Sequence, residues 1–147
     1  MSAIETVVKL AKDWAPGELA TELKYRDSLA AFLREHLKNA KIETEYRHCG
    51  TTTDVYVKEQ SFFGSSEVFI EIKRNLQHQA ALDRLVGQIQ GLQPKNNKII
   101  VLLCGETNPA LVTRFQEVFA SELLGLFEFN LALVVKQSAK SAKAGRP

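Results

Sequence analysis

The sequence predicts an α/β fold, a small mixed sheet with helices packed against it. Three observations carry that expectation. Apolar residues recur at helical spacing in four segments, at alternating or continuous spacing in five others, and the two patterns interleave along the chain. The chain's 147 residues and 45% hydrophobic content suit one globular domain, which at this size folds without disulfide or metal staples.

In chain order, Glu5–Trp14 reads as a short amphipathic helix stopped by Pro16-Gly17. A helix over Glu18–Lys38 follows, with Leu19, Leu23, Leu29, Ala30, Leu33 and Leu37 as its apolar stripe. Lys41–Arg47 alternates, Ile42, Thr44 and Tyr46 against Glu43, Glu45 and Arg47, as a half-buried strand does. A second strand spans Thr53–Lys58, a Ser- and Gly-bearing loop Glu59–Ser66, and a third strand Glu67–Lys73. Leu82, Leu85, Val86, Ile89 and Leu92 mark a helix over Gln77–Leu92. Lys98–Cys104 is a continuous apolar run, as in a strand covered on both faces. Asn108-Pro109 is an N-cap followed by proline at the first helical position, starting a helix that runs to about Leu124. A last strand covers about Leu126–Val135.

Composition narrows the function. Four of the 19 cations, Lys136, Lys140, Lys143 and Arg146, lie in the last 12 residues, so residues 1–135 carry 15 cations against 17 acids, a net −2. The small, polar, basic segment 136–147 reads as a disordered tail, and residues 1–135 as the domain. A body of that charge binds nucleic acid only through a local patch. No apolar run reaches membrane-spanning length and no signal peptide is read. Cys49 and Cys104 are too few for a four-cysteine metal site, and the expected setting is reducing and cytoplasmic. His36, His48 and His78 lack metal-ligand spacing and receive no role; no phosphate-binding GxxxxGK[ST] loop is present, so no nucleotide cofactor is expected.

The chemistry concentrates between Asp54 and Lys73. Alternation turns Val55 and Val57 one way and Asp54, Tyr56 and Lys58 the other; Val68, Ile70 and Ile72 oppose Glu67, Phe69, Glu71 and Lys73. A hairpin that pairs Val57 with Val68 and Val55 with Ile70 also pairs Lys58 with Glu67 and Tyr56 with Phe69, both favourable. It brings Asp54 against Glu71, which is unfavourable unless something lies between the carboxylates, and a divalent cation with its preference for oxygen ligands is one remedy. Lys73 projects from the same face. A solvated charged strand face accounts for Glu71 and Lys73 alone equally well; Asp54 at the matching position turns the reading toward a site.

The order α-β-β-β-α-β over residues 18–104, with Thr53-Asp54 and Glu71-Ile72-Lys73 on adjacent strands, resembles the PD-(D/E)XK nuclease superfamily and its restriction-endonuclease-like core, with an added C-terminal helix and strand. Thr53 stands where the motif has proline. Within the superfamily the chain looks most similar to small archaeal Holliday-junction resolvase-type and phage or viral nucleases. The resemblance implies an endonuclease that hydrolyses DNA phosphodiesters with Mg²⁺, for which Mn²⁺ substitutes, working as a homodimer on duplex or branched DNA. It makes Asp54, Glu71 and the Ile72 carbonyl metal ligands, and Lys73 the residue that orients or activates the attacking water. Glu22 has two compatible readings, an i,i+4 ion pair with Arg26 on the buried side of its helix or a further acid in the metal cluster, with Glu18 as the fallback. Arg74, Arg84 and Gln88 are candidate nucleic-acid contacts, and Phe62 and Phe63 a candidate wedge or dimer contact, against ordinary boundary or core positions. A non-catalytic nucleic-acid-binding or assembly module on the same fold is the competing function, and a hydrolase for another phosphate ester a third.

Overall fold

The computed structural model describes residues 2–48, 50–61, 64–93, 97–124 and 130–137. Its elements are α1 (Ala3–Asp13), α2 (Glu22–His36), β1 (Ala40–His48), β2 (Thr51–Ser61), β3 (Gly64–Arg74), α3 (Gln79–Leu92), β4 (Lys98–Gly105), α4 (Pro109–Val118), α5 (Ala120–Leu124) and β5 (Leu131–Gln137). The five strands form one mixed sheet in the order β1-β2-β3-β4-β5. The β1–β2 and β2–β3 pairs are antiparallel; β3–β4 and β4–β5 are parallel. The order from α2 to β4 is consistent with an α/β nuclease-like core.

Helices cover both faces, because the central strands are apolar on both. Val7 and Ala11 of α1, with the adjoining Trp14, and Tyr25, Leu29, Ala30 and Leu33 of α2 bury Val57, Ile70, Ile72, Ile100 and Leu102 on one side. Leu82, Leu85 and Ile89 of α3 and Phe115 of α4 bury Phe69, Ile99, Val101 and Leu103 on the other. At about 1.5–3 kcal/mol for each large side chain buried, these two layers set the fold. Among the described residues no helix is long and apolar enough to cross a membrane.

Several boundaries differ from expectation, each for a local reason. Helix α2 begins at Glu22, not Glu18, because Thr21 Oγ1 caps it by accepting from Lys24 N at 3.1 Å. Leu19 therefore lies outside the helix and Leu23 is 56% exposed; Tyr25 takes the buried position instead. The stretch 59–66 is not simply a loop, since Glu59↔Ser66, Gln60↔Ser65 and Ser61↔Gly64 continue the ladder. Polar side chains on both faces hid that extension. Phe62 and Phe63 lie outside the described residues. The C-terminal helix breaks at Phe119 into α4 and α5. Strand β5 takes in Lys136 and Gln137, expected in the tail, which pair with Cys104 and Gly105; residues 138–147 lie outside the described residues.

Strand β1 holds the largest departure. Glu45 has φ 51°, a left-handed conformation rare for a residue with a side chain. Past it, Tyr46 does not share the face of Ile42. Ile42 belongs to the core beneath α1 and α2, whereas Tyr46 packs with Tyr56 and Phe69 on the opposite core.

Candidate active site

The site is built where the β2–β3 ladder opens. The pairs Val57↔Val68 and Val55↔Ile70 form the register that alternation predicts, and pairing stops there. Asp54 is paired in neither ladder: β1 pairs Thr44↔Val55 and Tyr46↔Thr53, stepping over Glu45 and Asp54. With its backbone released, Asp54 reaches into the fork, where Oδ2 accepts the amide of Ile72 at 2.7 Å. A side chain thus takes the place of a ladder carbonyl.

Glu71 is 2% exposed and lies within hydrogen-bonding reach of the Asp54 carboxyl. Burial first, then the Asp54 charge, push its pKa up to about 8, with Lys73 pulling the other way. Burial also raises Asp54, opposed mainly by the Ile72 amide and by Lys73. Asp54 has a backbone donor and Glu71 Oε1 has none, an arrangement that favours the charge on Asp54 and a proton on Glu71. Of the three buried side-chain oxygens without a hydrogen-bond partner among the described residues, two, Glu71 Oε1 and Thr53 Oγ1, belong to this site. The Thr53 hydroxyl is near enough to favour ionised Glu71 but closes no hydrogen bond with it. Lys73 is half-buried and acts on both carboxyls through its charge, without an ion pair to either.

Glu22 stands at the edge of this group. Its charge reaches Asp54, but its Oε2 accepts the Arg74 amide at 3.1 Å, tying the start of α2 to the end of β3. The Glu22–Arg26 pair does not form. Arg26 bonds Asp27 at 2.9 Å and Glu45 at 2.5 Å, because the kink at Glu45 presents a carboxylate to it. Glu18 is exposed in the connection between α1 and α2. Among the described residues no three acidic, histidine or cysteine side chains are grouped so as to hold a metal ion. The donor chemistry of the smaller set does fit a hard divalent cation: two carboxyls, one with a buried orphan oxygen, that can both ionise only beside a compensating charge.

Arg74 is less available to a ligand than its sequence position implies, since Nε donates to the Leu19 carbonyl at 3.0 Å. Arg84 and Gln88 stand exposed on α3, and among the described residues their side chains make no hydrogen bond or ion pair. Two features had no reading as site features in the sequence. One is the clasp beyond Lys73: Asn75, at φ 55°, donates its backbone amide to Cys104 O and accepts from Glu106 N at its side-chain oxygen, and a Cβ on Gly105 would collide with Asn75 Oδ1. Asparagine and glycine closing neighbouring strands are its only trace in the sequence. The other is a set of rings, Tyr46, His48, Tyr56 and Phe69, whose assembly depends on the Glu45 kink.

No family model and no curated protein matches the chain. One solved structure, that of SfsA from Pyrococcus furiosus in complex with Ca²⁺, is similar over 78% of this chain at 12% identity and a TM-score of 0.49. The match spans 57% of SfsA's own length. A likeness this slight carries no weight for fold or function.

Proposed function

We propose that this chain is a metal-dependent endonuclease that hydrolyses DNA phosphodiesters, acting as a homodimer with Mg²⁺ or Mn²⁺. The observation that supports it is the buried Asp54–Glu71 carboxyl pair at an opened strand fork, with Lys73 two residues along. No packing need explains two carboxyls held in one half-enclosed place, and a buried like-charge pair costs stability. A divalent cation held by Asp54, Glu71 and the Ile72 carbonyl would polarise the scissile phosphate and make its bound water more acidic. The Ile72 amide keeps the Asp54 carboxylate oriented and ionised. Lys73 meets negative charge as it builds on phosphate, and its charge acts on both carboxyls, favouring their ionised forms. Glu22 holds the Arg74 backbone and through it the end of β3, a positioning role.

One observation favours the second reading, a nucleic-acid-binding module without catalysis: Glu22 is engaged by the Arg74 amide and, among the described residues, no third acid joins the pair. The two are separated by incubating branched, single-stranded and duplex DNAs with the protein in Mg²⁺, Mn²⁺ or EDTA. Metal-dependent cutting that EDTA stops is expected. Binding to these DNAs with no cutting in either metal would leave the binding module.

A further inference from the structure

We propose that Tyr46 and His48 form a stacking shelf for an unpaired base of the substrate strand, so that the enzyme acts on DNA with a single-stranded or distorted segment. The proposal rests on the nuclease reading and narrows its substrate class.

The rings lie beside the carboxyl pair. Phe69 is two residues from Glu71 on the same strand, and the His48 ring is 5.3 Å from it. Tyr46 pairs with Thr53, whose hydroxyl borders Glu71. Tyr46 lies face to face on Tyr56, with centroids 3.8 Å apart and planes 8° from parallel, and the His48 ring is within 18° of the Tyr46 plane. Tyr56 is fixed underneath, buried and donating its hydroxyl to Glu67 Oε2 at 2.6 Å. Tyr46 and His48 stay half-exposed. The aliphatic residues of α3 and α4 cover β3 and β4, and the apolar cluster of this face reaches β1 only through Tyr46.

The chemistry of this surface selects its occupant. It is made of flat rings with polar edges, Tyr and His, on the sheet face from which Lys73 projects, and among the described residues it carries no exposed large aliphatic side chain of the kind a protein interface would use. Unstacked bases are held by aromatic faces, with cations meeting the backbone. A paired base inside a duplex offers no free face. Because the lower rings are already packed, little side-chain freedom is lost on binding.

The test uses the full chain in EDTA, which prevents cutting, and oligonucleotides carrying one 2-aminopurine, either single-stranded, in a gap, or fully duplex. Parent protein should quench the probe in the first two and not in the duplex. Tyr46→Leu combined with His48→Gln should weaken single-strand affinity roughly tenfold and leave duplex affinity unchanged. Tyr46→Phe, which keeps the ring, should retain parent binding. Should the double variant melt early, His48→Gln alone keeps the test decisive, since it must then lower quenching. An unchanged ratio of single-strand to duplex affinity in folded variants overturns the shelf. So does concentration-dependent self-association lost with the rings, which would assign them to an interface between copies. Failure of the nuclease reading looks different: no DNA is cut in Mg²⁺ or Mn²⁺, whatever the quenching shows.

Discussion

The two ends of the β2–β3 hairpin are made from similar material and behave differently. Toward the turn, Lys58↔Glu67, Glu59↔Ser66 and Gln60↔Ser65 continue the ladder with polar side chains and no apolar core around Ser65 and Ser66, which are exposed. At the other end, among buried apolar neighbours, pairing stops at Val55↔Ile70 and the Asp54 carboxylate takes the Ile72 amide. Regular pairing consumes backbone groups and leaves side chains with nothing to do but be solvated. An opened ladder, by contrast, puts a carboxylate inside the protein, where its charge counts for more. Charge at the turn end is scenery; charge at the fork is held at a cost.

That contrast is broken most directly by removing a lysine from each end. Lys73→Ala should lower single-turnover cleavage by about 10²–10³-fold while DNA binding changes little, as for loss of one group that meets transition-state charge. Lys58→Ala, at the paired end, should cut at the parent rate. Equal rates in the two variants would make Lys73 a surface charge and favour the binding module.

Next in size is a pH effect. Glu71 is held at about 8 in the folded protein against an ordinary 4.5. A raised acid pKa means the folded state binds the proton more tightly, so this contribution to stability is complete below about pH 4.5 and is lost as pH rises through 8. Metal-free protein should therefore lose stability between pH 5 and pH 9 by more than Glu71→Gln does, by an amount on the order of a few kcal/mol. Urea unfolding of both proteins in EDTA measures it, the apparent midpoint belonging to the pair rather than to Glu71 alone. Parallel pH profiles would show that Glu71 is ionised and satisfied in the fold.

Much of this geometry was legible in the sequence, and the reason is period. The run Val55, Val57, Val68, Ile70 excludes a one-residue slip, which would move every valine and isoleucine to the wrong face, and pairing Val57 with Val68 also sets Lys58 against Glu67 and Tyr56 against Phe69. That register placed Asp54, Glu71 and Lys73 at one end of two strands. What escaped was whatever depends on a single backbone angle or on an exposed partner. Nothing in Glu45 marks it as left-handed, yet its φ decides which core Tyr46 joins and turns Arg26 away from Glu22. Leu19 and Leu23 keep helical spacing with Leu33 and Leu37, which outweighed the capping threonine at position 21. The turn end of the hairpin, polar on both faces, has no period to read.

A smaller effect is expected at Asp54. Asn keeps an oxygen to accept the Ile72 amide and adds a donor for Glu71, while removing the buried charge that disfavours ionisation of Glu71. In metal-free buffer Asp54→Asn should raise the melting temperature by about 2–4 °C, the shift that ~1 kcal/mol produces in a domain of this size. Cutting in Mg²⁺ should be lost in the same variant. A lower melting temperature would mean that the fork needs the charge itself to hold the Ile72 amide.

The smallest effect tests the strain beside the fork. Two glutamates on β1, each in an ion pair, differ in backbone: Glu45 is left-handed at φ 51° and pairs with Arg26, whereas Glu43 is not left-handed, lies across from Tyr56 in the ladder and pairs with Lys41. Glycine in an ordinary strand position costs roughly 0.5–1 kcal/mol in entropy, so Glu43→Gly should destabilise by about that much. At position 45 the same substitution relieves a conformation costing about 1–2 kcal/mol for a residue with a side chain. Against that gain stand the glycine entropy and the lost contact to Arg26, a pair whose glutamate is 65% exposed and which is worth under about 1 kcal/mol. The opposing effects nearly cancel, and Glu45→Gly should stay within about 0.5 kcal/mol of parent in denaturant unfolding. If instead it destabilises as much as Glu43→Gly or more, the left-handed turn is not a strained position held from outside, and Arg26 is what keeps the ladder open at Asp54.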